Sequence, residues 1–300
     1  MKWMRENDCT WNTSSSLHAA SRGGHLEVMK WMRENGCPLD LKICKEAAKR
    51  GYLDVLIWAS ENGCTLDGDV ASAAAGSRRV GILEWLRQAN CPFTKTACAY
   101  AARGGHLKAL KWLRKHGISW DSSTCSEAAK GGHFELLKWA RSKGCPIERS
   151  TPSSALSKGR NIEIAKWAVE NGCSWDRSSA NRVCYWGDFE LVKELDEFAE
   201  WDGFACYSAA AGGHLEILKW LREKGCRWDQ RTCEGAARGG HLEVLKWAYE
   251  NGCHLPDDVV KFVGDNLEVM KWLVEERGCS CKYCDGVASG HVELLRFLLE

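Results

Sequence analysis

Apolar and polar positions recur along this chain with a period of about 27 residues. The repeated segment reads GGHLEVLKWLREN with small changes, and an aromatic or leucine column marks its register. The column comprises Trp3, Trp31, Trp58, Trp85, Trp112, Trp139, Trp167, Leu195, Trp220, Trp247, Trp272 and Phe297. Such a period, held over so many copies, predicts a solenoid in which each repeat buries its apolar face against its neighbours.

Each unit has the pattern of a helical hairpin. In the unit around His106, Thr96 is a candidate N-cap for a short alanine-rich helix over 98–103, which a glycine pair ends. A second helix is predicted from about 106 to 116, with its apolar residues on one side. The loop that follows carries one apolar residue, which we expect to be a buried anchor. These anchors are Trp11, Leu39, Phe93, Trp120, Ile147, Trp175, Trp201 and Trp228.

Small residues in the first helices predict a curved stack. Alanine pairs such as Ala101 and Ala102 allow successive first helices to approach closely, whereas the tryptophan-bearing second helices need more space. The first helices are therefore expected to form a concave face.

We predict one array over residues 1–300. The complete units span 13–40, 41–67, 68–94, 95–121, 122–148, 149–176, 177–202, 203–229, 230–256 and 257–281, with partial units at 1–12 and 282–300. Both chain ends fall inside a repeat helix, which suggests the hypothesis that the chain is a fragment of a longer protein or a truncated gene product.

The unit resembles the ankyrin repeat, whose signature runs TPLHxAAxxGHxEIVxxLLxxGA. Residues 15–21 read SSLHAAS and residues 96–102 read TACAYAA, both in the frame of TPLHxAA. The run HLEVMKWM at 25–32 matches the second half, with tryptophan in place of leucine, and Cys37 takes the alanine place. The resemblance covers essentially the whole chain and implies an all-α, ankyrin-like helical-hairpin solenoid that binds proteins.

These units are shorter than the 33-residue ankyrin repeat. The missing residues fall between Gly117 and Ser123 and at the same place in other units, where the family builds its projecting β-hairpin finger. The units look like the short ankyrin arrays of protists and large DNA viruses. The resemblance then implies that only the first-helix half of the family's usual contact surface is available.

Composition narrows the choice of partner. Lys+Arg 41 against Asp+Glu 40 gives a net charge of +1, which does not favour nucleic acid or an anionic membrane. No stretch approaches the roughly 18–20 apolar residues of a membrane span, and the start MKWMRENDC lacks the apolar region of a secretory signal.

The 17 cysteines favour reduced thiols rather than disulfides. Nine occupy one repeat position, and stacked helices about 8–10 Å apart cannot bring such a column within the roughly 4.4–6.8 Å Cα distance of a disulfide. A pair on neighbouring columns, such as Cys37 and Cys44, is not excluded by this spacing. We expect an intracellular protein, in the cytoplasm or nucleus.

Metal, cofactor and catalytic sites are not predicted. The recurring histidines stand one per unit, too far apart to share a zinc ion, and asparagine or aspartate replaces them in three units, which favours a helix-capping role. The CxCxxC run of Cys279, Cys281 and Cys284, with His291 nearby, is a weak zinc candidate without a second CxxC pair. No nucleophile, phosphate-loop or dinucleotide motif is present, so we expect no enzyme activity.

A column of basic residues ends the first-helix half of six units. Cations at a helix C-terminus offset the helix dipole, which is one explanation of the column. The other is a basic rim that meets an acidic partner segment. The column comprises Arg22, Lys49, Arg103, Lys130, Lys158 and Arg238.

The seventh unit departs most from the repeat. Val183 and Cys184 replace its alanine pair, and Tyr185 and Trp186 stand where an exposed turn is expected. Aromatic residues of this kind are common interface anchors, although repeat decay explains them equally well. Tyr100 and Tyr207, on the predicted concave face, are further candidates.

The predicted function is a non-catalytic, monomeric scaffold that binds a protein partner, with an acidic segment, through its concave face and rim. Two alternatives stay open. One is the substrate-recognition arm of a larger complex, such as a ubiquitin-ligase adaptor. The other is an α-solenoid that reads single-stranded RNA, against which positions 45–46, 99–100, 126–127 and 207–208 show no regular stacking code.

Overall fold

The computed structural model describes residues 13–37, 39, 42–158, 161–264 and 266–279. All regular structure within these ranges is helical, and no strand occurs in them. Two successive helices form a hairpin in each unit, and a short loop without a finger leads to the next. The predicted fold class, an all-α helical-hairpin repeat array, is confirmed.

First and second helices alternate along the chain as far as α18, so up to that point odd labels denote first helices and even labels second helices. The first helices are α1 (Thr13–Gly23), α3 (Lys42–Arg50), α5 (Gly68–Ala75), α7 (Lys95–Arg103), α9 (Ser122–Lys130), α11 (Thr151–Ala155), α13 (Arg177–Trp186), α15 (Gly203–Ala211) and α17 (Gln230–Gly239). The second helices are α2 (Leu26–Glu34), α4 (Leu53–Glu61), α6 (Val80–Gln88), α8 (Leu107–Lys115), α10 (Phe134–Ser142), α12 (Ile162–Glu170), α14 (Phe189–Glu194), α16 (Leu215–Glu223) and α18 (Leu242–Glu250). A 3₁₀ segment (Val259–Phe262), α19 (Leu267–Lys271) and a π-helical turn (Trp272–Glu276) follow.

The chain divides into two compact units between Ala168 and Val169. Within each, neighbouring first helices pack more closely than neighbouring second helices. The alanine pairs account for this, since Ala101, Ala102, Ala209 and Ala210 are fully buried and add little bulk between the backbones.

Aspartate, rather than threonine, caps the first helices. Asp176 accepts a hydrogen bond from the backbone N–H of Ser179 at 2.7 Å, and the other capping residues are Asp67, Asp121, Asp202 and Asp229. The prediction of Thr96 as an N-cap is wrong, because α7 begins at Lys95 and Thr94 precedes it without a side-chain cap. Each carboxylate satisfies one or two of the free N–H groups of the first turn.

Three of the recurring histidines join successive repeats instead of capping their own helices. Their Nε2 atoms lie at hydrogen-bond distance from a backbone carbonyl of the preceding repeat: His106 from Gly76 at 2.9 Å, His133 from Arg103 at 3.0 Å and His214 from Tyr185 at 3.0 Å. None of these three caps its own helix, so the capping interpretation is wrong for them. Each bond satisfies a carbonyl at the end of a first helix, where no intrahelical partner remains.

We predict that acid weakens the structure through His106. Burial, reinforced by nearby Arg78, lowers the pKa of its ring below its ordinary value of about 6.5. The unfolded chain therefore binds the proton more readily, and stability falls as the pH drops through about 6.5. The loss is less than about 1 kcal/mol, because the ring is only partly buried and water screens it.

Urea unfolding at pH 7.5 and pH 5.5 measures this loss. His106→Asn is the control, because an amide at this position can join two repeats without a titrating group, as Asn266 does from its Nδ2 to the carbonyl of Gly240. An equal pH dependence in both proteins would contradict the assignment.

Aromatic pairs also bridge successive repeats. The loop residue of one unit packs against the helix tryptophan of the next, as in Trp120 with Trp139 (ring centroids 5.9 Å apart) and Trp228 with Trp247 (5.7 Å). Phe93 and Trp201 make the same contact. These four anchors are half-buried, so the prediction of buried anchors is wrong for them. The remaining surface is partly covered by arginine, since the guanidinium of Arg114 lies 4.3 Å from the centre of the Trp120 ring.

In several units a cysteine follows the second helix and links the two helices of the unit through its thiol. Cys91 Sγ donates to the carbonyl of Asp67 at 3.2 Å, and Cys226 and Cys253 make the equivalent bond to Asp202 and Asp229. The end of the second helix is thereby linked to the start of the first. Cysteine rather than alanine at this position adds a weak donor to an otherwise apolar contact.

Candidate functional site

A cleft of about 430 Å³ opens among three successive first helices of the first compact unit. We name it the first-helix cleft. Helix α3 contributes Lys45, Glu46 and Lys49, α5 contributes Ala73, and α7 contributes Tyr100 and Arg103. Three residues proposed separately from the sequence, Lys49, Tyr100 and Arg103, therefore line one concavity.

Tyr100 supplies the exposed apolar surface of this cleft. Its side chain is 43% exposed, although the alanines beside it in α7 are buried. A Cβ atom on Gly76 would lie 3.6 Å from its Cδ1, so the ring lies beside a residue without a side chain. The absence of bulk at Gly76 and Ala73 leaves room next to the phenol for a group from another molecule.

The first-helix cleft carries a net positive charge, because its three described cations outnumber its acidic lining residue, Glu46, which is paired with Arg50 at 3.5 Å. Lys45 donates a hydrogen bond to the Asp69 carboxylate at 2.8 Å, and this bond raises the pKa of Lys45. Arg103 lies 3.5 Å from Glu127. Lys49 is exposed and makes no ion pair with any residue in the described ranges. Its charge is therefore the one least satisfied within the cleft.

The rest of the basic column is distributed along both compact units. Arg22, Lys130 and Arg238 lie in the last turn of their helices, as do Lys49 and Arg103. Lys158 differs, because α11 ends at Ala155 and leaves this lysine in the turn that follows. Arg238 is also paired, to Glu234 at 2.9 Å. The dipole explanation thus suits every member of the column except Lys158.

The aromatic candidates of the seventh and eighth units lie in the second compact unit. Tyr185 and Trp186 are the last residues of α13 rather than part of a turn; Tyr185 is 51% exposed and Trp186 is half-buried. Tyr207 is half-buried, and its ring centroid is 5.3 Å from that of Phe204.

Sequence reasoning missed Lys45 and Phe204. A usable signal existed for Lys45, since it precedes Lys49 by four residues and so shares its face of α3. Phe204 is 47% exposed at the start of α15, where the repeat has no apolar residue to mark it. Periodicity alone does not show whether an apolar residue in the first turn of a helix is buried or exposed.

The described residues contain no group of three histidine, cysteine, aspartate or glutamate side chains arranged to hold a metal ion. Of the CxCxxC candidate, Cys281, Cys284 and His291 lie outside the described residues. No helix of the described ranges is both long enough and apolar enough to cross a bilayer.

Residues 97–141 match the family model described as ankyrin repeats (many copies). The match covers parts of two successive units, including Tyr100 and Arg103. The rest of the described chain repeats the same helical hairpin, which is consistent with ankyrin repeats. Among curated proteins, none matches the chain significantly. Ankyrin repeats generally serve as protein–protein interaction scaffolds and are typically non-catalytic.

Proposed function

We propose that this array of ankyrin-type repeats binds an extended, acidic segment of a protein partner, with the first-helix cleft as its anchor site. The observation that carries the proposal is the convergence of Lys49, Tyr100 and Arg103 on one cleft formed by three repeats. None of the three residues is unusual within its own helix. Together, however, they form an aromatic surface between two cations.

The chemistry of the cleft favours an aspartate- or glutamate-containing segment. Lys49 and Arg103 attract carboxylates, and Arg103 accepts a planar carboxylate in two parallel hydrogen bonds. Tyr100 packs against an apolar side chain of the segment, as exposed tyrosines do at interface centres. The side chains come from packed helices, which limits the ordering cost of binding.

A volume of about 430 Å³ accommodates a few side chains rather than a folded domain. The segment is therefore proposed to continue along the first-helix face of the first compact unit, past Arg22, Lys130 and Lys158. If the chain is the substrate-recognition arm of a larger complex, such as an adaptor, we propose the same mode of binding. Only the role of the rest of that complex would differ.

The buried, unbridged thiols of the described cysteines fit a proposed location inside the cell. One chain is sufficient to form the cleft.

Binding to a synthetic peptide array tests this function. The array pairs twelve-residue peptides that contain leucine and several glutamates with versions in which glutamine replaces glutamate. We expect the acidic peptides to bind selectively, and the double variant Lys49→Glu, Arg103→Glu to lower affinity by about tenfold or more. Tyr100→Ala is expected to lower affinity by about tenfold, the effect of roughly 1.4 kcal/mol.

Lys143→Glu is the matched control, because Lys143 is exposed at the end of α10 and does not line the first-helix cleft. Equal losses in Lys143→Glu and in either single cleft variant, Lys49→Glu or Arg103→Glu, would reveal general charge attraction and contradict the proposal. A labelled oligouridylate serves as the RNA arm of the test. If it binds more tightly than the acidic peptides, the RNA-binding alternative replaces the one proposed here.

A further inference from the structure

The second helices carry a regular glutamate–lysine pair on their exposed side. The lysine Nζ lies 2.8–3.0 Å from the glutamate three residues earlier in four repeats. The pairs are Lys30 with Glu27, Lys138 with Glu135, Lys193 with Glu190 and Lys219 with Glu216. These four repeats show the standard arrangement for this protein: one negative and one positive charge at the start of the second helix.

Helix α8 breaks this standard. Lys108 occupies the glutamate position, so Lys111 has no carboxylate three residues before it. Its Nζ lies instead 5.5 Å from the centre of the Trp139 ring in the next repeat. The local net charge of the pair changes from zero to two positive charges.

A second departure in the preceding repeat adds a third cation. Arg78 stands at the position of the second turn glycine, which is Gly105 in the following unit. Gly105 has a φ of +70°, whereas the only non-glycine residue with positive φ in the described ranges is Asn90. The turn at Arg78 therefore adopts a different backbone conformation, one that a side chain tolerates.

Both departures line the same cleft. This turn cleft has a volume of about 580 Å³ and is bounded by Arg78, His106, Lys108 and Lys111, with the backbone of the glycine turn between them. The three cations are exposed, and none of the residues that line the cleft in the described chain is acidic. Neither Arg78 nor Lys108 has an ion-pair partner within the described ranges. Gly104, the neighbour of Gly105, lines the first-helix cleft, so both clefts border the same turn.

Three unneutralised cations around one concavity match a group of more than one negative charge. A phosphate monoester carries about −1.5 to −2 charges at neutral pH and three acceptor oxygens, whereas a carboxylate carries one charge. Arginine binds phosphate through two parallel N–H groups, and lysines act as flexible point charges beside it. A volume of about 580 Å³ accommodates the linking side chain as well as the phosphate.

We propose that the turn cleft is a receptor site for a phosphorylated side chain of a protein partner. Arg78 grips two phosphate oxygens, while Lys108 and Lys111 neutralise the remaining charge. The site is independent of the first-helix cleft, because the two share none of the residues that carry the charge.

Fluorescence anisotropy of the full chain with a labelled peptide Gly-Ser-Gly-pSer-Gly-Ser-Gly tests the proposal, with the unphosphorylated peptide alongside. The phosphorylated peptide is expected to bind at least about tenfold more tightly. Lys108→Glu is the decisive variant, because it restores the pair seen in four other repeats and so preserves the fold. We expect it to lower affinity for the phosphorylated peptide about tenfold.

Lys115→Glu is the matched control, since it makes the same charge change at the opposite end of α8 and is expected to alter affinity less than twofold. Equal losses in Lys108→Glu and Lys115→Glu would overturn the site in favour of general charge attraction. Equal binding of the two peptides would overturn the choice of phosphate. Inorganic phosphate is the competitor. If it displaces the phosphorylated peptide at a concentration no higher than that at which the peptide itself is half-bound, the assignment to a protein side chain is overturned in favour of a free anion.

Discussion

Replacing Gly212 with alanine is expected to destabilise the protein by about 3 kcal/mol or more, a larger loss than most single substitutions cause. Its φ of −85° is acceptable for any residue, so the loss does not come from backbone strain. A Cβ atom there would lie 2.0 Å from the carbonyl oxygen of Tyr185 and 2.7 Å from the His214 ring. The carbonyl belongs to the backbone and accepts the His214 bond, so it cannot move aside without breaking the link between two repeats.

Urea unfolding followed by tryptophan fluorescence measures the effect. Gly81→Ala is the control: a Cβ atom on Gly81 meets nothing within 4 Å, and the residue lies in the first turn of α6. Alanine there is expected to stabilise by up to about 1 kcal/mol through helix propensity. A Gly212→Ala protein as stable as the parent would show that the contact between α13 and α15 is looser than described.

Replacing Leu195 with alanine is expected to cost about 2–5 kcal/mol, because it leaves a cavity. This residue occupies the tryptophan column, yet it is fully buried, whereas the corresponding Trp220 is half-buried. The reason lies in the short helix α14, which ends at Glu194 and leaves Leu195 as its C-cap. The seventh unit has thus repacked around a smaller residue rather than merely lost its tryptophan.

Leu195→Trp distinguishes repacking from decay. If the unit had only decayed, tryptophan would restore the repeat and stabilise it. We expect the opposite, a loss of about 1–3 kcal/mol from overpacking. Phe198→Ala, at a site 67% exposed, is the control and is expected to change stability by less than about 0.5 kcal/mol. The same urea titration measures the stability of the three variants Leu195→Ala, Leu195→Trp and Phe198→Ala.

The helical hairpin could be predicted from the sequence because it depends on residues close together in the chain. The period of the apolar residues sets the second helix, and the glycine pair sets its start; α8 accordingly begins at Leu107 and ends at Lys115, within a residue or so of the expected bounds. The same local reasoning failed for Thr96, since several polar residues precede each first helix and their order alone does not tell which one caps it.

Contacts between repeats were harder to predict. A histidine one residue before a helix suggests a cap, and its true partner, a carbonyl about 30 residues earlier, becomes evident only when the repeats are stacked. The clefts pose the same difficulty. Lys49, Tyr100 and Arg103 were identifiable one by one, but their convergence depends on the width of the alanine-rich helices between them. Lys108 and Arg78 were not noticed, because each looks like an ordinary surface cation until the intact glutamate–lysine pairs of other units are compared with it.

The histidine-to-carbonyl bonds also determine where such an array can be divided. Each bond runs from the start of the second helix of one unit to the end of the first helix of the preceding unit. It therefore crosses the usual boundary between units. A module excised from one loop to the next therefore keeps its histidine but loses the carbonyl it serves, and leaves another carbonyl exposed at its far end. The smallest portable module is accordingly a hairpin together with the next histidine, and a chimaera that grafts units from another array has to supply a donor at that position.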